Sequence, residues 1–347
     1  MKLVNRFVRL FLFFLWAILL LSFPQQVGNG IRLGLTSCGS VLIPSLFPFM
    51  VLSNLAVYSR IGKDLARFLE PISRKWFRLP SCCAVALFMG MIGGYPVGAQ
   101  IVSEMLDRGE INRNTAERLL CLCVNAGPSF LIAAVGSSML GNLKSGVLLL
   151  SAQVCSVLIL GCVLGRIDPV DDLSSVSHIS NTYPWGDALV MSVNKAITGM
   201  LSLCGYVLLF SMVLSLTEQL PFDLFYLTSL FEVTSGCLAA VNRHASLPFL
   251  GFLTSFGGFS VHFQVFSFFH KQRPSTVRFL ISRILYGGLT ASLVKIGLSL
   301  FPRAVSVSAV NRYTAQIPAS PLFSVLLMVL CAVFLLSFPE SIWRRLD

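Results

Sequence analysis

The chain predicts an all-α fold, a polytopic transmembrane bundle of about ten spans built as two inverted repeats with broken helices. Three observations carry this. Of its 347 residues, 55% are hydrophobic and only 12% are charged, against roughly 25% charge in a soluble domain; mean hydropathy is +0.79. Apolar runs long enough to cross a hydrocarbon core roughly 30 Å thick recur along the sequence. A Gly-Gly-aromatic break occurs at Gly93 and again at Gly257.

The elements follow in order. Residues 1–30 hold a first span at 7–23. Lys2, Arg6 and Arg9 precede the apolar run Leu10–Phe23, and no A-x-A-like cleavage site follows, so the span is read as retained. The first repeat covers 35–165, with spans at 35–57, 81–106, 114–139 and 145–165. An outer loop at 166–187 carries Asp168, Asp171, Asp172 and Asp187 with a single Arg. The second repeat covers 188–300, with spans at 188–217, 222–242, 247–270 and 277–300. A last span at 321–341 leads into a cytoplasmic tail ending at residue 347. Segment 59–80 differs: it mixes six Lys/Arg with Leu65, Phe68, Leu69, Ile72, Trp76 and Phe77. It reads as an amphipathic helix on the inner surface, broken at Pro71, with anionic lipid as its partner.

The net charge is +11. In a soluble protein this would suggest nucleic acid, but basic residues interleaved with aromatic surface are absent, and nucleic acid is excluded as a partner. The charges lie between apolar runs, where they set orientation. With both termini inside, fifteen Lys/Arg fall in cytoplasmic segments and eight outside, as the positive-inside rule asks. The 10 cysteines lie in apolar runs without a CxxC pair or a zinc-type Cys/His spacing, so no metal or cofactor is expected. No GxSxG, HExxH or phosphate-binding loop occurs, and no enzymatic activity is expected.

Two spans carry breaks. One reads Gly93-Gly94-Tyr95-Pro96-Val97-Gly98-Ala99-Gln100, the other Asn125-Ala126-Gly127-Pro128-Ser129. Each places Pro where a half-helix would begin. Backbone groups freed at a break cannot face lipid, so they must face protein, water or a solute, and half-helix N-termini favour anions. Gly90, Gly94 and Gly98 also form a close-packing face. In the second half, Gly257-Gly258-Phe259-Ser260-Val261-His262-Phe263-Gln264 repeats the first break with Gln264 at the place of Gln100; Cys204-Gly205 echoes Cys38-Gly39, and Glu232 falls near Glu70. Interrupted segments in two halves point to a transport site at the membrane midplane. One conflict remains: 35–57 and 188–217 would run in the same direction unless a segment is miscounted or some hairpins are re-entrant.

Glu232 lies mid-span in Phe231-Glu232-Val233-Thr234-Ser235-Gly236, where a carboxylate faces a cavity or a partner; Lys195, Arg283 and Lys295 are the candidate partners. The candidate contacts are Gly94, Tyr95, Pro96, Gln100, Asn125, Gly127, Pro128, Ser260, His262 and Gln264, with Glu232 coupling or gating. Ser45, Asn54 and Gln153 are weaker. Pro44 and Pro48 should bend or interrupt the span at 35–57.

Together, Ser45-Leu46-Phe47-Pro48-Phe49, Gly94-Tyr95-Pro96-Val97-Gly98-Ala99, Asn125-Ala126-Gly127-Pro128, Glu232-Val233-Thr234-Ser235-Gly236 and the 257–264 motif resemble the YlbJ-like sporulation integral membrane protein family, which contains nucleoside-recognition Gate domains. The resemblance covers roughly residues 35–270. It implies two Gate-type repeats, a role in endospore formation at a multi-pass position in a membrane around the forespore, and likeness to concentrative nucleoside transporters. The activity it implies is transport of a small anion, the spore dicarboxylate dipicolinate. Gln100, where many relatives carry Lys, and Val124, where a second Asn is common, depart from that pattern. Two further readings stand beside it: a sporulation membrane protein that moves nothing, and a nucleoside carrier.

Overall fold

A computed structural model describes residues 2–168, 183–217 and 225–300. The C-terminal span and tail at 321–347, most of the 166–187 loop with Asp171 and Asp172, and the start of 222–242 lie outside the described residues. All regular structure among the described residues is helical.

Helix α1 (Lys2–Ser22) ends at Phe23, and Pro24 opens α2 (Pro24–Ser37). A π-helical turn at Cys38–Leu42 joins α2 to α3 (Ile43–Tyr58), so residues 24–58 form one helix of 35 residues. Pro44 and Pro48 therefore do not interrupt it. The π turn shifts the hydrogen-bond register just before Pro44. Helix α4 (Ile61–Pro71) passes through Pro71 into a second π turn at Ile72–Trp76; Phe68 and Trp76 are exposed on it.

The run 81–106, expected as one span, is a hairpin of α5 (Cys83–Gly93) and α6 (Tyr95–Asp107). Gly94 turns the chain with φ 85° and ψ −177°, a conformation open only to glycine. Gly90 and Gly98 then meet backbone to backbone: a Cβ on Gly98 would lie 3.1 Å from the Gly90 Cα. Eight residues of straight helix would separate them by about 12 Å.

The next segment does run through. Helix α7 (Arg113–Cys123) gives way to non-helical chain at 124–127, and Pro128, already helical at φ −55° and ψ −37°, leads into a π-helix at Ser129–Met139. Helix α8 (Leu143–Ile167) packs antiparallel along the whole of it: Gly146 rests on Leu131 and Gly136, Gln153 bonds the Ala126 carbonyl, and Arg118 bonds the Asp168 carbonyl.

Helix α9 (Trp185–Thr217) lies antiparallel to residues 24–58 from end to end. Gly30 meets Met212, Gly34 meets Leu208, Gly199 meets Met50, and Tyr183 N–H bonds the Tyr58 carbonyl. A second hairpin follows, α10 (Phe225–Thr228) and α11 (Val233–Asn242), closed by Gly236 against the Ser229 backbone. Helices α12 (Leu247–Phe256) and α13 (Gly258–Ser267) form a second broken span, and α14 (Thr276–Leu300) runs antiparallel to both, with Thr290 beside Ser255 and Phe279 beside His262.

Five stretches among the described residues are long and apolar enough to cross a membrane: Pro24–Tyr58, Leu143–Ile167, Trp185–Thr217, Leu247–Ser267 and Thr276–Leu300. The second broken span is 78% buried, the other four 39%. The long unbroken helices thus present apolar faces outward, while the breaks sit at the centre. One end of the bundle gathers Arg78, Arg118, Asp168, Glu117 and Arg278, joined by hydrogen bonds and ion pairs.

Candidate functional site

Each hairpin tip rests on the break of the broken span that follows it. At the first, Gly127 lies against the Ile92 carbonyl and the Gly94 backbone, and Gly90 and Gly98 both abut the Cys123 carbonyl. At the second, Phe259 N–H donates to the Leu230 carbonyl at 2.8 Å and Ser260 N–H to the Phe231 carbonyl at 2.9 Å. The N–H groups freed by the break at Gly257 are thus paired with the carbonyls of the tip, as buried backbone requires.

The carbonyls freed at the breaks also find partners. Pro128 has no N–H to offer the Val124 carbonyl four residues earlier. Arg283 on α14 takes that carbonyl and the Cys121 carbonyl with its two terminal nitrogens. Asn125 Nδ2 donates to the Leu122 carbonyl at 2.7 Å, and Gln153 Nε2 to the Ala126 carbonyl at 2.8 Å. In the second break, Tyr95 donates its hydroxyl to the Thr254 carbonyl, and His262 Nε2 pairs with the Phe256 carbonyl at 2.9 Å.

Two buried charges sit on helix ends of opposite polarity. Glu232 is 1% exposed and caps α11, accepting from Thr234 N–H at 2.9 Å and Ser235 N–H at 2.6 Å. Arg283, also 1% exposed, closes the C-terminal end of α7. Its guanidinium carbon lies 4.7 Å from the centre of the Tyr286 ring and 5.4 Å from that of Phe279. A carboxylate at a helix N-terminus and a cation at a C-terminus both gain from the helix dipole. The expected partners of Glu232 lie elsewhere. Lys195 pairs with Glu104 at 2.7 Å, Arg283 is held by α7, and Lys295 is exposed. Glu70, set beside Glu232 by the sequence pattern, is on α4 and binds Arg74 at 2.9 Å and Ser81 at 3.0 Å; those bonds, with Ser81 foremost, hold its carboxyl below the usual range.

Between the two tips and the paired long helices lies a cavity. Its walls include Leu42 and Leu46 from residues 24–58, Tyr95 and Gly127 from the first tip and break, Leu203 and Tyr206 from α9, and Glu232, Thr234, Ser260 and Gln264 from the second half. Of the expected contacts, Tyr95, Gly127, Ser260, Gln264 and Glu232 come together here. Gly94, Pro96 and Pro128 shape the tip and break without lining the cavity. Gln100 and Asn125 are buried off the cavity, and His262 faces Phe256, Phe259 and Phe279. Ser45 bonds its own helix at Val41.

The match between Gly93-Gly94-Tyr95 and Gly257-Gly258-Phe259 is therefore not a structural equivalence: the first turns a hairpin, and the second breaks a helix that runs on. Thr234 and Tyr206 are cavity residues the sequence motifs missed, though Thr234 stands two places after Glu232. The buried Thr234 Oγ1 and Gln264 Nε2 have no partner among the described residues, and both residues line the cavity. Other buried polar atoms among the described residues, Gln100 Oε1 and Asn125 Oδ1 among them, also lack a partner, but only Thr234 and Gln264 of that set line the cavity.

Comparison with known proteins agrees with the motifs. Residues 40–160 match the Gate family, described as nucleoside recognition. That Gate segment contains the first hairpin and the first break. The chain is 29% identical over 318 residues to the sporulation integral membrane protein YlbJ of Bacillus subtilis (strain 168), covering 79% of this chain and 78% of the relative. No solved structure matches it. The resemblance to YlbJ-like Gate proteins holds, and the chain is a membrane protein.

Proposed function

We propose that this protein is a multi-pass carrier that moves dipicolinate, a small anion, across a forespore membrane of a spore-forming cell. One observation carries the carrier reading: two hairpin tips rest on two helix breaks around a shared cavity with unpaired polar atoms. Broken helices at a shared central site are how secondary transporters expose backbone to a solute. The likeness to a sporulation integral membrane protein supports the cellular setting.

Reading the hairpins as re-entrant resolves the direction conflict in the sequence. Residues 24–58, the first hairpin, the first broken span and α8 correspond to α9, the second hairpin, α12–α13 and α14. Residues 24–58 and α9 then run in opposite directions, so the two halves are inverted. The same topology moves Arg108, Arg113, Arg118 and Arg166 to the end that holds Arg60, Lys63, Arg67, Arg74 and Lys75. The opposite end keeps Arg32 and Arg243 and gains Lys144. The positive-inside rule then puts the basic end in the cytoplasm, with α4 lying on anionic lipid through its exposed Phe68 and the Trp76 that follows.

A nucleoside is the second reading, favoured by the cavity wall, which carries one carboxylate and no basic side chain among the described residues. Proteoliposomes holding the purified protein decide between them. Labelled dipicolinate should accumulate, and excess unlabelled dipicolinate should block it. Uptake of uridine alone would replace the anion by a nucleoside, and uptake of neither would leave a non-transporting membrane protein.

A further inference from the structure

The cavity that the carrier reading assigns to an anion is lined by a carboxylate. Glu232 stands in its wall with Thr234, Ser260 and Gln264, and no Lys, Arg or His among the described residues lines it. The groups facing Glu232 from the packed elements are Cys38 on the 24–58 helix, Tyr95 on α6, Tyr206 on α9, and Cys237 on α11 itself. All are neutral in their ordinary forms near pH 7. Arg283 is spent on the carbonyls of Cys121 and Val124, and His262 on the Phe256 carbonyl. An ionised Glu232 would therefore meet an incoming anion with no counter-charge in the described wall.

We propose, resting on the carrier reading above, that this site binds its anion together with a proton carried by Glu232. The proton comes from water and sits on one carboxyl oxygen. It removes the like charge and turns an acceptor into an O–H donor toward the solute. The other oxygen keeps its backbone N–H, so the cap on α11 survives and the tip holds its shape. Gln264 Nε2 and Thr234 Oγ1, both buried and unpaired among the described residues, supply two further donors to the same anion. Solute and proton then enter and leave as a unit, and a proton gradient drives the anion.

Binding of dipicolinate to the purified full chain in detergent, followed by titration calorimetry, tests this. For the wild type, the apparent Kd should weaken at least tenfold between about pH 5.5 and pH 8.5, because each anion bound takes up a proton that becomes scarcer as the pH rises. Heats in buffers of different ionisation enthalpy should show net proton uptake on binding. Glu232→Gln, a fixed mimic of the protonated form, should bind with a Kd constant within about twofold over that range; ionised Glu232 at contact would weaken the anion by a factor on the order of 100. Binding without proton uptake and with a flat wild-type Kd overturns the proton linkage and leaves the carrier reading standing. No binding at any pH, in either form, overturns the dipicolinate reading and the linkage with it. The wild-type proton uptake needs no variant, so misfolding of Glu232→Gln cannot rescue the proposal.

Discussion

The two helix breaks solve the same problem by different means. The first opens four residues, 124–127, is followed by a proline, and is held by a guanidinium reaching from the other half. The second opens around two glycines, Gly257 at φ 87° and Gly258 at φ 74°, and is held by Tyr95 and His262. A wide break frees several carbonyls pointing the same way, and one planar fork can satisfy two of them at once. A narrow break frees fewer, and single donors suffice. The cross-half donors also run both ways: Arg283 closes the first break from the second half, and Tyr95 serves the second break from the first. The two broken spans are thereby tied into one body.

The largest test of this comparison lies at the first tip. A Cβ on Gly98 or Gly90 would run into the Cys123 carbonyl, and backbone cannot step aside as a side chain can. Gly98→Ala should destabilise the protein by about 3 kcal/mol, at the upper end for overpacking. Thermal unfolding in detergent reads this. The same change at Gly205, where a Cβ would meet nothing, should leave the melting temperature within about 1 °C.

Next in size is Arg283. Arg283→Met keeps most of the length of the side chain and strands the Cys121 and Val124 carbonyls, for a loss of about 2–3 kcal/mol. Arg283→Lys should recover less than half, because an ammonium is a point charge and not a fork. A structural loss alone would stop there. The tie between the halves adds a second readout: Cys121 and Cys123, buried beside the clamp, should become reactive to a membrane-permeant thiol reagent in Arg283→Met. Unchanged labelling rates would break the comparison between a clamped first break and a self-sufficient second one.

Much of this is legible in the sequence. The breaks at Gly94, at Asn125–Pro128 and at Gly257 stand out by composition, because glycine and proline interrupt helices for local reasons. Glu232 and the amphipathic 59–80 segment stand out as charge where apolar sequence surrounds it. What the sequence hides is direction. A hairpin and a broken span are each two apolar half-helices around a glycine, and they differ only in whether the halves pack on one another. The close-packing face of Gly90, Gly94 and Gly98 is visible, yet it fits a neighbouring helix as well as the hairpin's own partner arm. The one hint is the parallel direction of 35–57 and 188–217 that ten spans would impose. The role of Arg283 is hidden for a related reason: its acceptors are backbone carbonyls, which carry no residue identity to search for.

The smallest expected effect separates structure from site most cleanly. By sequence, His262 reads as a solute contact because it lies between Gly258 and Gln264, yet it is not among the residues lining the cavity. Its ring packs on Phe256 at 4.6 Å and on Phe279 at 5.3 Å, and one nitrogen holds the Phe256 carbonyl. His262→Phe preserves the aromatic packing and removes a single hydrogen bond, for a loss of about 1 kcal/mol. Tyr95→Phe removes one hydrogen bond of the same kind, to the Thr254 carbonyl, and should lose a similar amount. The two part company in transport. Tyr95 lines the cavity, so Tyr95→Phe should raise the KM for dipicolinate uptake severalfold, while His262→Phe should leave KM unchanged. If both variants shift KM alike, the second break is part of the solute site after all, and the distinction between a shaping residue and a contact residue in this half falls.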